Sequence, residues 1–344
     1  MIAAQNNFAL TIKHINGTDN AIADALSRFQ LTAALDATIA SVQFHHIAAS
    51  TRKTYQTGWS RFAQFCKTIG EPPIPATEQT ILRFNAQLHL DGLGTSTTIV
   101  YLAGIDNAHS EVGISRPSAT AAITRAVNGL KRLNMPGTDR RLPITLDLMR
   151  SMKDKLHNSH LPQQEQLLYW SAFCVAFFGL FRVSELVANE TGKCCPASTL
   201  RFSDVILHEN ALIITIRSSK TDQFHHGYRI TLSATGHSVC PVRSTKAYMD
   251  VRITTGKNDP FYILPSGSYV TRHSFERAMK TGLAGVPDID RYGTHSFRIG
   301  GSSAAAANGT SHQRLQEAGR WRSNCYTRYV RNTVPIRGIQ AYPL

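Results

Sequence analysis

The sequence predicts a mainly α-helical chain carrying a small antiparallel β-sheet. Helical spacing of apolar residues runs through most of its length, and residues 163–188 are apolar on almost every face. β-type patterning is confined to residues 200–232, around a polar tip at 217–227. At 344 residues there is room for two or three domains, each with its own core. Apolar content of 42% with 17% charged residues describes a globular protein. The 37 Lys+Arg against 23 Asp+Glu leave a net +14, which favours a polyanionic partner.

The six cysteines form no disulfide framework, which fits reduced thiols inside a cell. Cys194, Cys195 and Cys240 match no zinc-ligand spacing, so no metal is expected. The most apolar stretch, 167–180, is too short to span a bilayer and reads as a buried helix, so no membrane role is expected. Residues 1–10 show no basic segment followed by an apolar run, and no secretory signal is read there.

Residues 11–20 read as a strand and turn, and residues 21–28 (Ala-Ile-Ala-Asp-Ala-Leu-Ser-Arg) as a short helix. This pair resembles the last strand and helix of a retroelement ribonuclease H. The resemblance implies that Asp24 matches a metal ligand there. One carboxylate does not make a two-metal site, so residues 1–30 are expected to be an inactive remnant.

Residues 31–134 read as a small helical bundle, for which DNA binding is possible. Ser50 is positioned to cap a helix with Tyr55, Trp59, Phe62 and Phe65 on its apolar face, an aromatic stripe that reads as core. Thr77 can cap a second helix running to Leu90, and further helices are read at 96–109 and 118–133. Arg52, Lys53, Lys131 and Arg132 fall near helix ends, where phosphates can be met. Residues 135–143, polar and bearing Pro136 and Pro143, read as a linker whose Arg140 and Arg141 could cross a phosphate backbone.

The second domain is expected over 144–344. Helices are read at 146–157 and 163–188, strands at 200–207, 211–216 and 228–232, and helices again at 242–252, 273–283 and 295–308. Gly309 stops the last of these, and Ser311 starts a short helix to Ala318.

Several residues of this domain can carry chemistry. Arg182, towards the end of the apolar helix, is too costly to bury alone and needs either Glu185, one turn on, or an incoming phosphate. His295 and Arg298, three apart, share a helix face. An imidazole can move a proton near neutral pH, and a guanidinium can grip two phosphate oxygens. Trp321 offers a donor-only indole, and Tyr326 and Tyr329 offer phenols. Six arginines, Arg320 and Arg322 among them, lie in residues 314–337 with Glu317 the only acid, which suits a phosphate-facing surface. Donors, a proton carrier and a phenol together suit attack on a phosphodiester.

In this order, Arg182 in Gly-Leu-Phe-Arg-Val-Ser-Glu-Leu, Lys220 on a hairpin, His295-Ser-Phe-Arg298, Trp321 and a following tyrosine resemble the tyrosine recombinases. That is the family of phage integrases and of the Xer and Cre recombinases. Ser-Phe-Arg-Ile-Gly and Gly-Arg-Trp-Arg-Ser-Asn-Cys-Tyr-Thr-Arg-Tyr-Val-Arg are most similar to the recombinases of DIRS-like retrotransposons, which also encode a ribonuclease H. The resemblance implies that Arg182 and Arg298 clamp the scissile phosphate and that Lys220 protonates the leaving 5′ oxygen. His295 takes the tyrosine proton or holds an oxygen, Trp321 donates a hydrogen bond where many relatives have histidine, and Glu185 orients Arg182 or His295. Tyr329 is the implied nucleophile, forming a 3′-phosphotyrosine. Its interval from Trp321 is shorter than in phage relatives, and Tyr326 stays open as the alternative. The resemblance further implies double-stranded DNA as partner, four protomers on two duplexes, work in the nucleus, and no metal or nucleotide cofactor. Two rivals share the fold: a domesticated, non-catalytic DNA binder and a type IB topoisomerase-like relaxing enzyme.

Overall fold

In the computed structural model, residues 31–134, 140–188, 199–218, 227–253 and 256–331 are described. Asp24 and the expected remnant at 1–30, and Lys220, His225 and His226 of the expected hairpin tip, lie outside them. The chain divides into two compact units, Met1–Gly137 and Thr138–Leu344.

The first unit contains α1 (Leu31–Phe44), α2 (Ala49–Ile69), α3 (Glu78–Leu90), α4 (Thr95–Glu111) and α5 (Ala121–Leu133). Thr77 caps α3 as expected, accepting the Thr80 N–H, and Thr120 does the same for α5. Ser50 is not a cap. Helix α2 begins two residues earlier than that cap would set, with Ala48 at the cap position and no side chain on its first N–H groups. The expected stripe does build the core, where Phe62 and Phe84 meet edge to face at 5.1 Å and Trp59 and Phe65 pack around them. Gly104 lets α4 close on α2, because a Cβ there would lie 2.7 Å from the Tyr55 carbonyl oxygen.

The second unit contains α6 (Leu146–His157), α7 (Gln163–Phe178), α8 (Val183–Leu186), β1 (Val205–Leu207), β2 (Ala211–Ile216), β3 (Tyr228–Ser233), α9 (Pro241–Val251), α10 (Arg272–Gly282), α11 (Ser296–Ala307) and α12 (His312–Ala318). A 3₁₀ turn over Asn324–Arg328 follows. The sheet is antiparallel in the order β1-β2-β3, with Val205 opposite Ile214 and Ala211 opposite Ser233. The expected strand over 200–207 is shorter than read, because Phe202–Asp204 form a 3₁₀ turn before β1.

Helix α7 is the centre of this unit, buried from Leu168 to Phe178. Phe173 stacks on Phe297 of α11 at 5.0 Å and meets Phe275 of α10 edge-on at 5.1 Å. The expected helix over 163–188 is broken. Leu180 takes the left-handed conformation, φ 49°, and the Phe181 N–H closes back on the Ala176 carbonyl. The chain thus leaves the helix axis before Arg182, which caps α8 instead of ending α7.

The backbone of residues 142–144 lies across the start of α11, with Ile144 N–H donating to Ser296 O at 3.0 Å. Only glycine fits beneath it, since a Cβ on Gly300 would lie 1.8 Å from the Ile144 carbonyl oxygen. Gly300→Ala is therefore expected to lower stability by about 2–3 kcal/mol. Urea unfolding of the purified chain reads this as a lower midpoint at unchanged slope.

Candidate active site

The break after α7 brings Arg182 to one edge of a pocket built on α11. Glu185, 4% exposed, is the carboxylate at its base. Its Oε1 accepts Arg182 Nη1 at 3.0 Å, and its Oε2 accepts the Arg182 backbone N–H at 2.9 Å. The same Oε2 accepts Arg320 Nη2 at 3.0 Å. Glu185 is therefore bonded to Arg182 and also holds a second arginine. Residue 188 is locked in turn, its N–H donating to Val270 O at 2.9 Å and its carbonyl accepting Arg272 N–H. That pairing sets the start of α10 beside the site.

Arg298, on the first turn of α11, is wholly buried. It donates through Nη1 to the Leu180 carbonyl and through Nη2 to the Gly319 carbonyl. Its Nε is buried with no acceptor among the described residues. The Trp321 ring lies 4.3 Å from its guanidinium carbon and the Tyr329 ring 5.4 Å. Burial, then the charges of Arg320 and Arg182, pull Arg298 below the usual arginine range, while Glu185 and Tyr329 oppose the shift.

His295 precedes α11, its ring 6.2 Å from that of Tyr329. Burial, then Arg141, Arg298, Arg182 and Arg272, pull its imidazole from the ordinary 6.5 down to about 4. The ring is therefore neutral at neutral pH, able to accept a proton. Arg141 was expected to meet DNA. Arg272 escaped sequence reading, because only the pairing of residue 188 with residues 270–272 brings it here.

The two candidate phenols part company. Tyr326, the alternative phenol, is buried in the 3₁₀ turn, packed against His312 and Trp321. Tyr329 is half-buried, between the rings of Trp321 at 5.2 Å and His295 at 6.2 Å. Ser303, one and a half turns beyond Arg298 on α11, moors this stretch. Its Oγ is 3.2 Å from Tyr329 O and accepts the Arg331 N–H at 2.8 Å. No local pattern in the sequence marks Ser303 for this.

The structure thus brings together Arg182, Glu185, His295, Arg298, Trp321 and Tyr329. Among the residues expected to face DNA, Lys53, Lys131, Arg132, Arg140, Arg141 and Arg322 are exposed. Arg52 is half-buried, its guanidinium stacked at 3.5 Å on Phe44 and bonded to that residue's carbonyl. Arg320 does not meet its expectation. It is 4% exposed, and its left-handed φ of 57° turns the side chain inward. Among the described residues no group of three or more His, Cys, Asp or Glu could hold a metal ion, and no helix is long and apolar enough to cross a membrane.

No family model matches the chain. It is 24% identical over 278 residues to an integrase/recombinase XerD homolog of Selenomonas ruminantium, covering 75% of this chain and 74% of that protein. Among solved structures it is similar to the Tn1549 transposon integrase in complex with circular intermediate DNA. The TM-score is 0.53 at 12% identity, covering 84% of this chain and 92% of that one. The XerH site-specific recombinase bound to a palindromic difH substrate matches with TM-score 0.53 at 16% identity, over 80% of this chain and 73% of that one. A lambda integrase dimer bound to a core site gives 0.51 at 14% identity, over 88% and 98%. These likenesses show that the chain shares its fold with these DNA-bound integrases and recombinases.

Proposed function

We propose that this chain is a site-specific DNA recombinase that cuts and rejoins DNA strands through a 3′-phosphotyrosine on Tyr329. The observation that carries this reading is a charge imbalance. Arg182, Arg298 and Arg320 converge on one pocket, and among the described residues Glu185 is the carboxylate paired with them. Three buried or half-buried guanidiniums against one carboxylate favour a further anion. A phosphodiester supplies one charge in the ground state, and more develops on its equatorial oxygens during attack. Arginines in that position stabilise the transition state in place of a cation.

In this reaction the Tyr329 oxygen attacks phosphorus, the P–O5′ bond breaks and the P–O(Tyr) bond forms. The phenolic proton passes to His295, whose neutral ring is ready for it. The 5′ oxygen takes its proton from Lys220. Rejoining reverses each step, and the phosphotyrosine conserves the bond energy, so no nucleotide cofactor is needed. Arg182 keeps 16% of its side chain exposed and is open to the phosphate from the start. Arg298 is covered by the Trp321 and Tyr329 rings, so the phosphate reaches it as the Tyr329 ring moves off its face.

Double-stranded DNA is the proposed partner, as it is for the DNA-bound structures that share this fold. The DIRS-like spelling around Arg298 and Tyr329 supports an element-encoded integrase working in the nucleus as four protomers on two duplexes.

A library of nicked, sequence-randomised duplexes tests the chemistry. Recovery of DNA covalently bound to the wild-type chain is expected, and its absence overturns the reading. Tyr329→Phe is expected to remove the adduct by more than about a thousandfold, whereas Tyr326→Phe retains it. The opposite result moves the nucleophile to Tyr326.

A pH profile tests the base. Because His295 titrates near 4 instead of 6.5, its proton-accepting form persists well into acid. Adduct formation at subsaturating DNA, which reports the free protein, should hold steady from about pH 7 to about pH 5 and fall only below that. A midpoint near the ordinary imidazole value would mean that burial and the surrounding arginines do not hold the proton off His295 before DNA binds.

A further inference from the structure

Both terminal nitrogens of the Arg320 guanidinium are engaged within the protein. Its Nη2 donates to Glu185 Oε2 at 3.0 Å and to Leu180 O at 3.1 Å, and its Nη1 to Gly179 O at 3.1 Å and Ala318 O at 3.2 Å. The Phe181 ring covers it, 5.0 Å from the guanidinium carbon. Two of these acceptors are shared with the arginines of the proposed phosphate clamp. Glu185 also holds Arg182, and Leu180 O also accepts Arg298 Nη1. Arg320 therefore links Arg182, through a carboxylate, to Arg298, through a carbonyl. Both backbone positions that make this link, Leu180 at φ 49° and Arg320 at φ 57°, are left-handed and non-glycine. Such positions cost free energy and persist where the surrounding contacts over-determine them.

We infer that Arg320 is a positioning residue, one that never touches DNA and sets the spacing of the Arg182–Arg298 clamp while sharing Glu185 with Arg182. This rests on the recombinase reading above. A bidentate fork is needed to reach an acid and three carbonyls at once, which an ammonium cannot do from one place. A clamp displaced by an ångström or so loses alignment with the phosphorus, and misplacements of that size cost about a hundredfold in rate.

The test uses the full chain and a nicked duplex recovered from the randomised library. Arg320→Gln, Arg320→Lys and Arg320→Gly are compared with wild type. Affinity is read by fluorescence anisotropy over a salt series, and single-turnover adduct formation is read at saturating DNA. The inference expects affinity and salt slope to stay within about twofold, while adduct formation falls about a hundredfold in the Gln and Gly variants and less in Lys. Arg320→Gly also relieves the left-handed backbone, so its thermal midpoint should exceed that of Arg320→Gln with no recovery of rate. If Arg320→Gln fails to fold, the Gly and Lys variants decide by the same two readings.

Weaker binding with a shallower salt slope and wild-type rate at saturation would mean that Arg320 contacts a phosphate, overturning the inference. Variants that react as fast as wild type overturn it too. A wild-type chain that never links to any DNA overturns the recombinase reading and this one with it, whereas a reactive wild type beside equally reactive variants sinks only the role of Arg320.

Discussion

The Glu185 carboxylate, wedged between Arg182 and Arg320, is the contact on which the rest of the site depends. Each of its oxygens is engaged, one by a side chain and the other by both a backbone N–H and a guanidinium. A buried carboxylate held this way fixes the positions of the guanidiniums around it. It does not balance them. With Arg298 on the same cluster, positive charge exceeds negative in a region where water is scarce and fields are strong. The stability of the pocket and its demand for an anion have the same origin.

That contact is available because a buried helix ends early. Had α7 run on past Phe178, Arg182 would have continued along an axis surrounded by apolar side chains. The left-handed turn at Leu180 costs about 1–2 kcal/mol, and the return bond from Phe181 N–H to Ala176 O offsets part of it. The turn also frees the Leu180 and Gly179 carbonyls from the helix ladder, and these become acceptors for Arg298 and Arg320. A helix end normally leaves such carbonyls to water. Here the guanidiniums take them, so terminating the core helix and building the site are one structural event.

Local signals in the sequence were legible, and directional ones were not. β2 appears at 211–216 as read, since alternation is a property of adjacent residues, and Thr77 caps α3 because capping is decided within one turn. The end of α7 is hidden because the glycine stands at 179 while the left-handed residue is Leu180, one place later than the usual pattern. Ser50 looked like a cap, but α2 starts ahead of it without one. Basic composition near Trp321 correctly marked a charged neighbourhood yet gave no direction. Arg322 is exposed, and Arg320, two residues earlier, points into the protein through its backbone conformation. Arg272 was illegible for another reason, since it reaches the site only through pairing between segments some eighty residues apart. The order of Arg182, His295, Arg298, Trp321 and Tyr329 was readable because spelling and spacing carry it.

The state of His295 gives the charge surplus a second consequence. Nearby guanidiniums that attract a phosphate also repel a proton from the imidazole, so before DNA arrives the ring is neutral. A bound phosphodiester cancels part of that positive field and raises the proton affinity of the ring. Linkage makes the effect reciprocal: whatever DNA does to the proton, the proton does to DNA. In the proposed reaction the base is therefore kept unprotonated while the site is empty and becomes a stronger acceptor once a phosphate lies beside Tyr329. In that reaction one excess of positive charge, held in place by Glu185, would govern both the capture of the phosphate and the timing of the proton transfer.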